Sequence, residues 1–195
     1  DELVAQEYSN RQSAGVSPAH RNVVFACIPA FSNDAALAAA SRCETTISHL
    51  HPEAIDTAIA TNIIARKLIQ GATLKDAVRQ VLTPEDATPP LISNELLVEV
   101  LGNFVCGKTA FPNHRGGRSP LVLEAALYFL DGAPNFGDAL NSSLGFAGPE
   151  NYCPVIVGSL GGALFGISDP TIMPMVLENR EFEFHHRVDQ NVPTR

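Results

Sequence analysis

Apolar positions along this chain recur at helical spacing, in runs that polar or Gly/Pro-rich stretches separate. The segment "SNDAALAAASRCETTISH" predicts a helix with Ser32 or Asn33 as N-cap, and Asp34 is well placed against the helix dipole. Pro52 holds His51 in extended backbone and serves as a first helical residue. Ile55, Ala58, Ile59, Asn62, Ile63 and Arg66 then keep helical spacing up to a stop at Gly71. Thr73, followed three residues later by Asp76, predicts a capping box and a short helix to about Leu82. The prolines of "TPEDATPP" mark a loop, and "NELLVEVLGNFVCG" returns to helix. After the polar loop "FPNHRGGRSP", Ser119-Pro120 caps "LVLEAALYFLDG", "NFGDALNSSLG" predicts a further helix, and Pro154 opens "VIVGSLGGALFG". The apolar run closed by Pro29 has no period that decides between strand and helix. It is assigned to helix because no other segment offers it a strand partner. A short helix around 170–178 and a charged tail complete the pattern.

Sustained alternation of period two is absent, so the expected fold is all-α. It is a compact, orthogonally packed bundle of about seven to nine helices, counted from start and stop signals. No composition shift or internal repeat divides the chain, and residues 1–195 read as one domain.

Gly158, Gly162 and Gly166 share one face of the last long helix, with Gly161 and Ala163 beside them. Each glycine costs about 1 kcal/mol of helix propensity against alanine. A second backbone approaching that face would offset the cost, so the pattern predicts a central helix under close packing.

Composition narrows the function. Apolar residues make up 45% and charged residues 17%, with a formal charge of −8. No basic stripe stands ready for a phosphate backbone, which argues against nucleic-acid binding. A small anion could still be held by backbone N–H groups and one or two arginines. Cys27, Cys43, Cys106 and Cys153 form no CxxC pair, so neither zinc nor a disulfide framework is expected. Reduced thiols point to an intracellular, cytoplasmic protein. The apolar stretch from Pro154 to Ile167 is too short to span a bilayer. The opening "DELVAQEYSN" carries no signal-like segment, and its lack of methionine suggests processing, renumbering or a fragment.

Chemistry concentrates before Pro154. A helix start offers unpaired N–H groups and partial positive charge. Glu150 and Asn151 sit beside it, either as caps or as oxygen ligands to a hard cation. No Gly-x-Ser-x-Gly elbow or Ser-His-Asp order supports a serine hydrolase.

Three stretches, in order, resemble the ADP-ribosylglycohydrolase family, which includes the dinitrogenase-reductase-activating glycohydrolases and the J1 crystallins. "GVSPAHR" is similar to that family's Gly-Asn-Gly-x-x-Met-Arg loop through Gly15, Ala19 and Arg21, while Val16, Ser17 and His20 depart. "ETTISHLHPEA" is similar to its Ser/Thr-His-x-x-Pro segment through Ser48, His49 and Pro52. The stretch from Leu123 to Gly166 is similar to its closing helices through Val157, Gly158, Leu160, Gly162, Ala163 and Gly166. The likeness covers about residues 14–180.

The resemblance implies hydrolysis of the glycosidic bond between ADP-ribose and a protein side chain or small acceptor. Gly15, Ser17 and Arg21 would face the diphosphate, and His49 would line the ribose pocket. Glu150 and Asn151 would be residual ligands to magnesium, and no residue is singled out as catalytic. Active relatives carry Gly-Gly-Asp-x-Asp-Thr where this chain has Ala147-Gly148-Pro149-Glu150-Asn151-Tyr152. The family's Thr-Asp-Asp segment, from its N-terminal third, has no counterpart before Gly15. Magnesium asks for near-octahedral oxygen ligation with one or two carboxylates, and one acid with one amide falls short of a two-metal site.

Two functions are therefore expected to compete. In one, a second polypeptide completes a magnesium-dependent hydrolase. In the other, a catalytically degenerate relative serves as a structural, crystallin-like or assembly component. Single residues stay open in the same way. Arg21 either meets a pyrophosphate or pairs with Glu44, and His49 and His51 either bind ligand or brace the Pro52 helix. Glu44-Thr45-Thr46 reads as structural, "RGGR" at 115–118 as a mobile loop or an anion grip, and His185-His186 as solvent-facing.

Overall fold

The computed structural model describes residues 13–84, 90–148, 151–166 and 168–172. Within them the chain forms α1 (Ser17–Asn22), a 3-10 helix (Val23–Cys27), α2 (Asp34–Thr45), α3 (Pro52–Ile69) and α4 (Leu74–Leu82). It continues as α5 (Glu95–Val105), α6 (Ser119–Leu130), α7 (Phe136–Phe146) and α8 (Cys153–Phe165). The expected all-α bundle is what forms. Among the described residues the only β pairing is an isolated antiparallel bridge between Gly15 and Arg118. The apolar run before Pro29 is helical as expected, wound as the 3-10 turn over Val23–Cys27.

Side-chain caps explain most helix starts. Asn33 accepts from the Ala36 amide at 2.8 Å, Thr73 from Asp76 at 3.2 Å, and Asn94 from Leu97 at 3.0 Å. Asn135 accepts from Asp138 at 2.8 Å, and its amide group returns a bond to the Asp138 carboxylate. Gly71, at φ +91°, supplies the left-handed turn that ends α3.

Two expectations fail here. Ser119 does not cap α6: it is the first helical residue, with Arg118 before it and no side-chain cap. Its amide bonds instead to the Ala14 carbonyl at 2.8 Å, which ties the helix start to the chain entering α1. The glycine face is also not the tight one. A Cβ added at Gly158 or Gly162 would meet nothing within 4 Å, whereas at Gly161 it would lie 3.0 Å from the Phe136 ring and 3.2 Å from Leu130. The helix buries the Ile156–Val157–Leu160–Gly161 side, which rotates the ladder toward the half-exposed surface. Gly166 stands apart, with a left-handed φ of +70° at the C-cap.

The centre of the bundle is α3. Fifteen of its 18 residues are buried, and α1, α2, α4, α6 and α8 pack around it. Alanines at 54, 58, 60 and 65 let those neighbours approach while Ile59, Ile63 and Ile64 fill the space between, all fully covered. Arg66, 7% exposed, is one of several buried polar residues on this helix. Its guanidinium donates to the carbonyls of Phe31 at 2.7 Å and Asn33 at 3.3 Å, and so pins the link before α2 onto α3. The expected helix at 170–178 and His185-His186 fall almost wholly outside the described residues.

Candidate functional site

The N-terminal ends of α3 and α6 meet the chain entering α1, and most of the residues singled out from the sequence gather there. Gly15 lies against His49. A Cβ at Gly15 would sit 3.4 Å from His49 Nε2 and 3.2 Å from Ser13 Oγ, so the lack of a side chain lets the imidazole approach. Ser17 is exposed on the first turn of α1.

Arg21, at the far end of that short helix, pairs with Glu44 on α2. Its Nη2 also donates to Ser48 Oγ at 2.6 Å, and Ser48 Oγ lies 2.9 Å from His49 Nδ1. Glu44 is held from below as well. Asn22, 1% exposed, donates to its second oxygen at 2.9 Å and to Thr45 Oγ1 at 3.2 Å. The Asn22 carbonyl in turn accepts from Asn62 on α3 at 2.8 Å. A continuous polar chain thus runs from the core through Asn62, Asn22, Glu44, Arg21 and Ser48 to His49. Of the two roles open to Arg21, the pairing with Glu44 is the one formed, with the arginine side chain 38% exposed. Glu44 and Thr45 both take hydrogen bonds from within the protein, and Thr46 Oγ1 donates to the Cys43 carbonyl at 2.9 Å.

Burial pushes the pKa of His49 down; the Arg21 charge pushes the same way, and Glu44 opposes both. The imidazole is therefore biased to its neutral form. His51 serves as the N-cap of α3, with Nδ1 accepting from the Glu53 amide at 3.3 Å.

Sequence reasoning missed the Glu53–Arg118 pair. Glu53 occupies the first turn of α3 and is 5% exposed, yet it takes both arms of the Arg118 guanidinium, Nε at 2.7 Å and Nη2 at 2.5 Å. The hydrogen bonds from Arg118 hold the carboxyl below the usual range against the opposing effect of burial. Arg118 also forms the bridge to Gly15. Within the "RGGR" segment, Arg118 is thus paired with an acid of the protein itself. An acid directly after a helix-opening proline and an arginine before Ser-Pro were the visible signals. Nothing in the sequence joined them.

The third motif reaches the same region. Tyr152 contacts His20 of α1 edge-on, with ring centroids 6.2 Å apart. Burial lowers the His20 pKa. Arg115 lies over the Phe146 ring at 5.3 Å, and its Cβ would be 3.3 Å from a side chain at Gly148. Asn151 is 1% exposed; its Nδ2 donates to the His114 carbonyl at 3.0 Å, and its Oδ1 accepts from the Cys153 amide at 2.9 Å. That carboxamide caps α8 and fastens the preceding loop. Glu150 and Pro149 lie outside the described residues.

The fit to a magnesium pair can be judged on these contacts. Among the described residues no three His, Cys, Asp or Glu side chains converge. The carboxamide at 151 faces protein hydrogen-bond partners with both its polar atoms. The described residues do not fit a two-magnesium group. Elsewhere, one cleft of about 410 Å³ borders Arg66 and Cys27, and another of about 330 Å³ borders Tyr128 and Asp131. Neither is lined by Gly15, Arg21, His49 or Arg118.

No described helix is long and apolar enough to cross a membrane. All four cysteines are free thiols: Cys27, Cys43 and Cys106 are exposed, and Cys153 is buried with its pKa raised to about 12. No curated protein sequence matches the chain. A family model described as ADP-ribosylglycohydrolase matches residues 3–183, which takes in every element above. With the three motifs meeting in space and that match running over nearly its whole length, the chain belongs to the ADP-ribosylglycohydrolase family.

Proposed function

We propose that this chain recognises an ADP-ribose-type ligand, free or on a protein, beside Gly15, Arg21 and His49, and does not by itself hydrolyse it. The observation carrying this reading is an asymmetry between two halves of the site. The Gly15–Arg21–Ser48–His49 cluster is assembled and held by a buried polar chain. At the loop before α8, by contrast, Asn151 is occupied as a cap and a strut.

Arg21 keeps an exposed edge from which a diphosphate could be met, and Ser17 stands exposed one helical turn before it. His49 would line the ribose, its ring packed against Gly15. A bound metal pair would supply charge neutralisation and a polarised water for hydrolysis. This chain's described residues do not supply that chemistry. Hydrolysis would need carboxylates from outside the described residues. A second reading, a structural or assembly role, draws on the same occupied carboxamide.

The experiment that separates these readings incubates the chain with an ADP-ribosylated protein and magnesium, and measures released ADP-ribose. The proposal expects retention of the labelled protein on the chain without release. Turnover above the spontaneous rate contradicts it, and absence of any retention leaves the structural role as the better account.

A further inference from the structure

We infer that Ser48 locks His49 in the tautomer protonated at Nε2, so that the imidazole presents a hydrogen-bond donor, not a base, beside Gly15. The argument is one of counting protons along three contacts. Arg21 Nη2 lies 2.6 Å from Ser48 Oγ, and a guanidinium can only donate. Ser48 Oγ therefore accepts there and still has its own proton to place. Among the described residues, its one other polar contact is His49 Nδ1 at 2.9 Å. A neutral imidazole has one donor nitrogen and one acceptor nitrogen. With Nδ1 accepting from the hydroxyl, Nε2 carries the proton.

The reverse arrangement is worse on each point. A proton on Nδ1 would take up both lone pairs of the hydroxyl oxygen, one of them already used by the charged Arg21. The serine proton would then have no acceptor among the described contacts. Imidazolium meets the same objection and adds repulsion from Arg21.

Nε2 is the atom that faces the space a side chain at residue 15 would occupy. A ligand that reaches Nε2 must offer an acceptor, which means a phosphoryl, hydroxyl or ring oxygen. This last step rests on the ADP-ribose reading, whereas the tautomer does not. Ser48 is on this view a positioning residue, with Arg21 orienting it and Glu44 orienting Arg21.

The test uses the full chain labelled with 15N-histidine. Long-range proton–nitrogen correlations should show His49 protonated at Nε2 and unprotonated at Nδ1, the signals being assigned by their loss in His49→Gln. Ser48→Ala should move both nitrogens toward a mixture of tautomers, and Ser48→Thr, which keeps the hydroxyl, should restore the separation. A merely structural Ser48 would leave the nitrogen pattern alone. Protonation at Nδ1 in the unaltered chain, or the same pattern with and without the Ser48 hydroxyl, overturns the proposal.

Titration with ADP-ribose should then shift the Nε2 proton. Ser48→Ala should weaken binding about fivefold, the effect of one ordinary hydrogen bond. If the Nε2 proton is present and unmoved by ADP-ribose, the tautomer stands and the ligand reading falls.

Discussion

The Glu53 carboxylate, 5% exposed at the start of α3, receives both arms of the Arg118 guanidinium from the loop that opens α6. Two helix starts far apart in sequence are joined by this fork, and Gly15 is bridged to the same arginine. Removing the acid would leave a half-exposed cation without its partner, while a glutamine could keep one of the two bonds. Glu53→Gln should lower stability by about 1–2 kcal/mol, measured by denaturant unfolding. Unchanged stability would mean that the fork contributes nothing.

The same pair sets part of the pH dependence. The folded-state pKa of Glu53 is lowered, chiefly by the hydrogen bonds from Arg118. Its stabilisation is therefore complete above the unfolded carboxylate pKa and lost as pH falls through the folded value. His49 acts at a higher pH. Burial and Arg21 lower its pKa, so the unfolded chain binds its proton first, and stability drops as pH falls below about 6.5. Burial lowers the His20 pKa as well, which adds to the upper step, and the lowered Asp76 and Asp169 add to the lower one, so unfolding midpoints between pH 8 and 3 should fall in two steps. Glu53→Gln should flatten the lower one only.

Glycines on α8 separate the expected from the observed packing. Gly158 and Gly162 have open space where a Cβ would go, so alanine there should stabilise the helix by about 0.5–1 kcal/mol each. A Cβ at Gly161 would lie 3.0 Å from the Phe136 ring, so alanine there should lack the gain expected at the other two and lose stability unless Phe136 and Leu130 shift. Thermal unfolding of the three variants checks the order. A loss at Gly158 or Gly162 as large as that at Gly161 would restore the tightly packed ladder.

Much of this fold was legible because its helix boundaries are written locally. Asn33, Thr73 and Pro52 act within a few residues of themselves, and the helices begin where these residues predict. The rotation of α8 was not legible. Its glycine face and its packed face are both apolar, and only the position of Phe136 and Leu130 distinguishes them. The site divides the same way. Arg21 near Glu44 was foreseeable as one of two outcomes, but Glu53 with Arg118 joins elements 65 residues apart and has no local signature.

Thiol reactivity should follow burial. Cys27, Cys43 and Cys106 are exposed, while Cys153 is buried with a pKa of about 12. A disulfide-exchange reagent at neutral pH should modify three thiols in the native chain and the fourth only after unfolding. Rapid modification of Cys153 in the native state would contradict the closed packing around the start of α8.

The loop before α8 carries the sharpest consequence for function. Asn151→Ala should lose both the cap on Cys153 and the bond to the His114 carbonyl, at about 1–3 kcal/mol of stability. Because the carboxamide is structural on this account, ADP-ribose affinity should change little in that variant. A strong loss of affinity with unchanged stability would place Asn151 in the ligand site instead.

Calorimetric titration of the full chain with ADP-ribose, in the presence and absence of magnesium, tests the central claim most directly. The account predicts saturable heat of the same affinity in both conditions, because the ligand meets Gly15, Arg21 and His49 and no metal pair. Affinity that appears only with magnesium, or rises tenfold or more on its addition, about 1.4 kcal/mol, would contradict it.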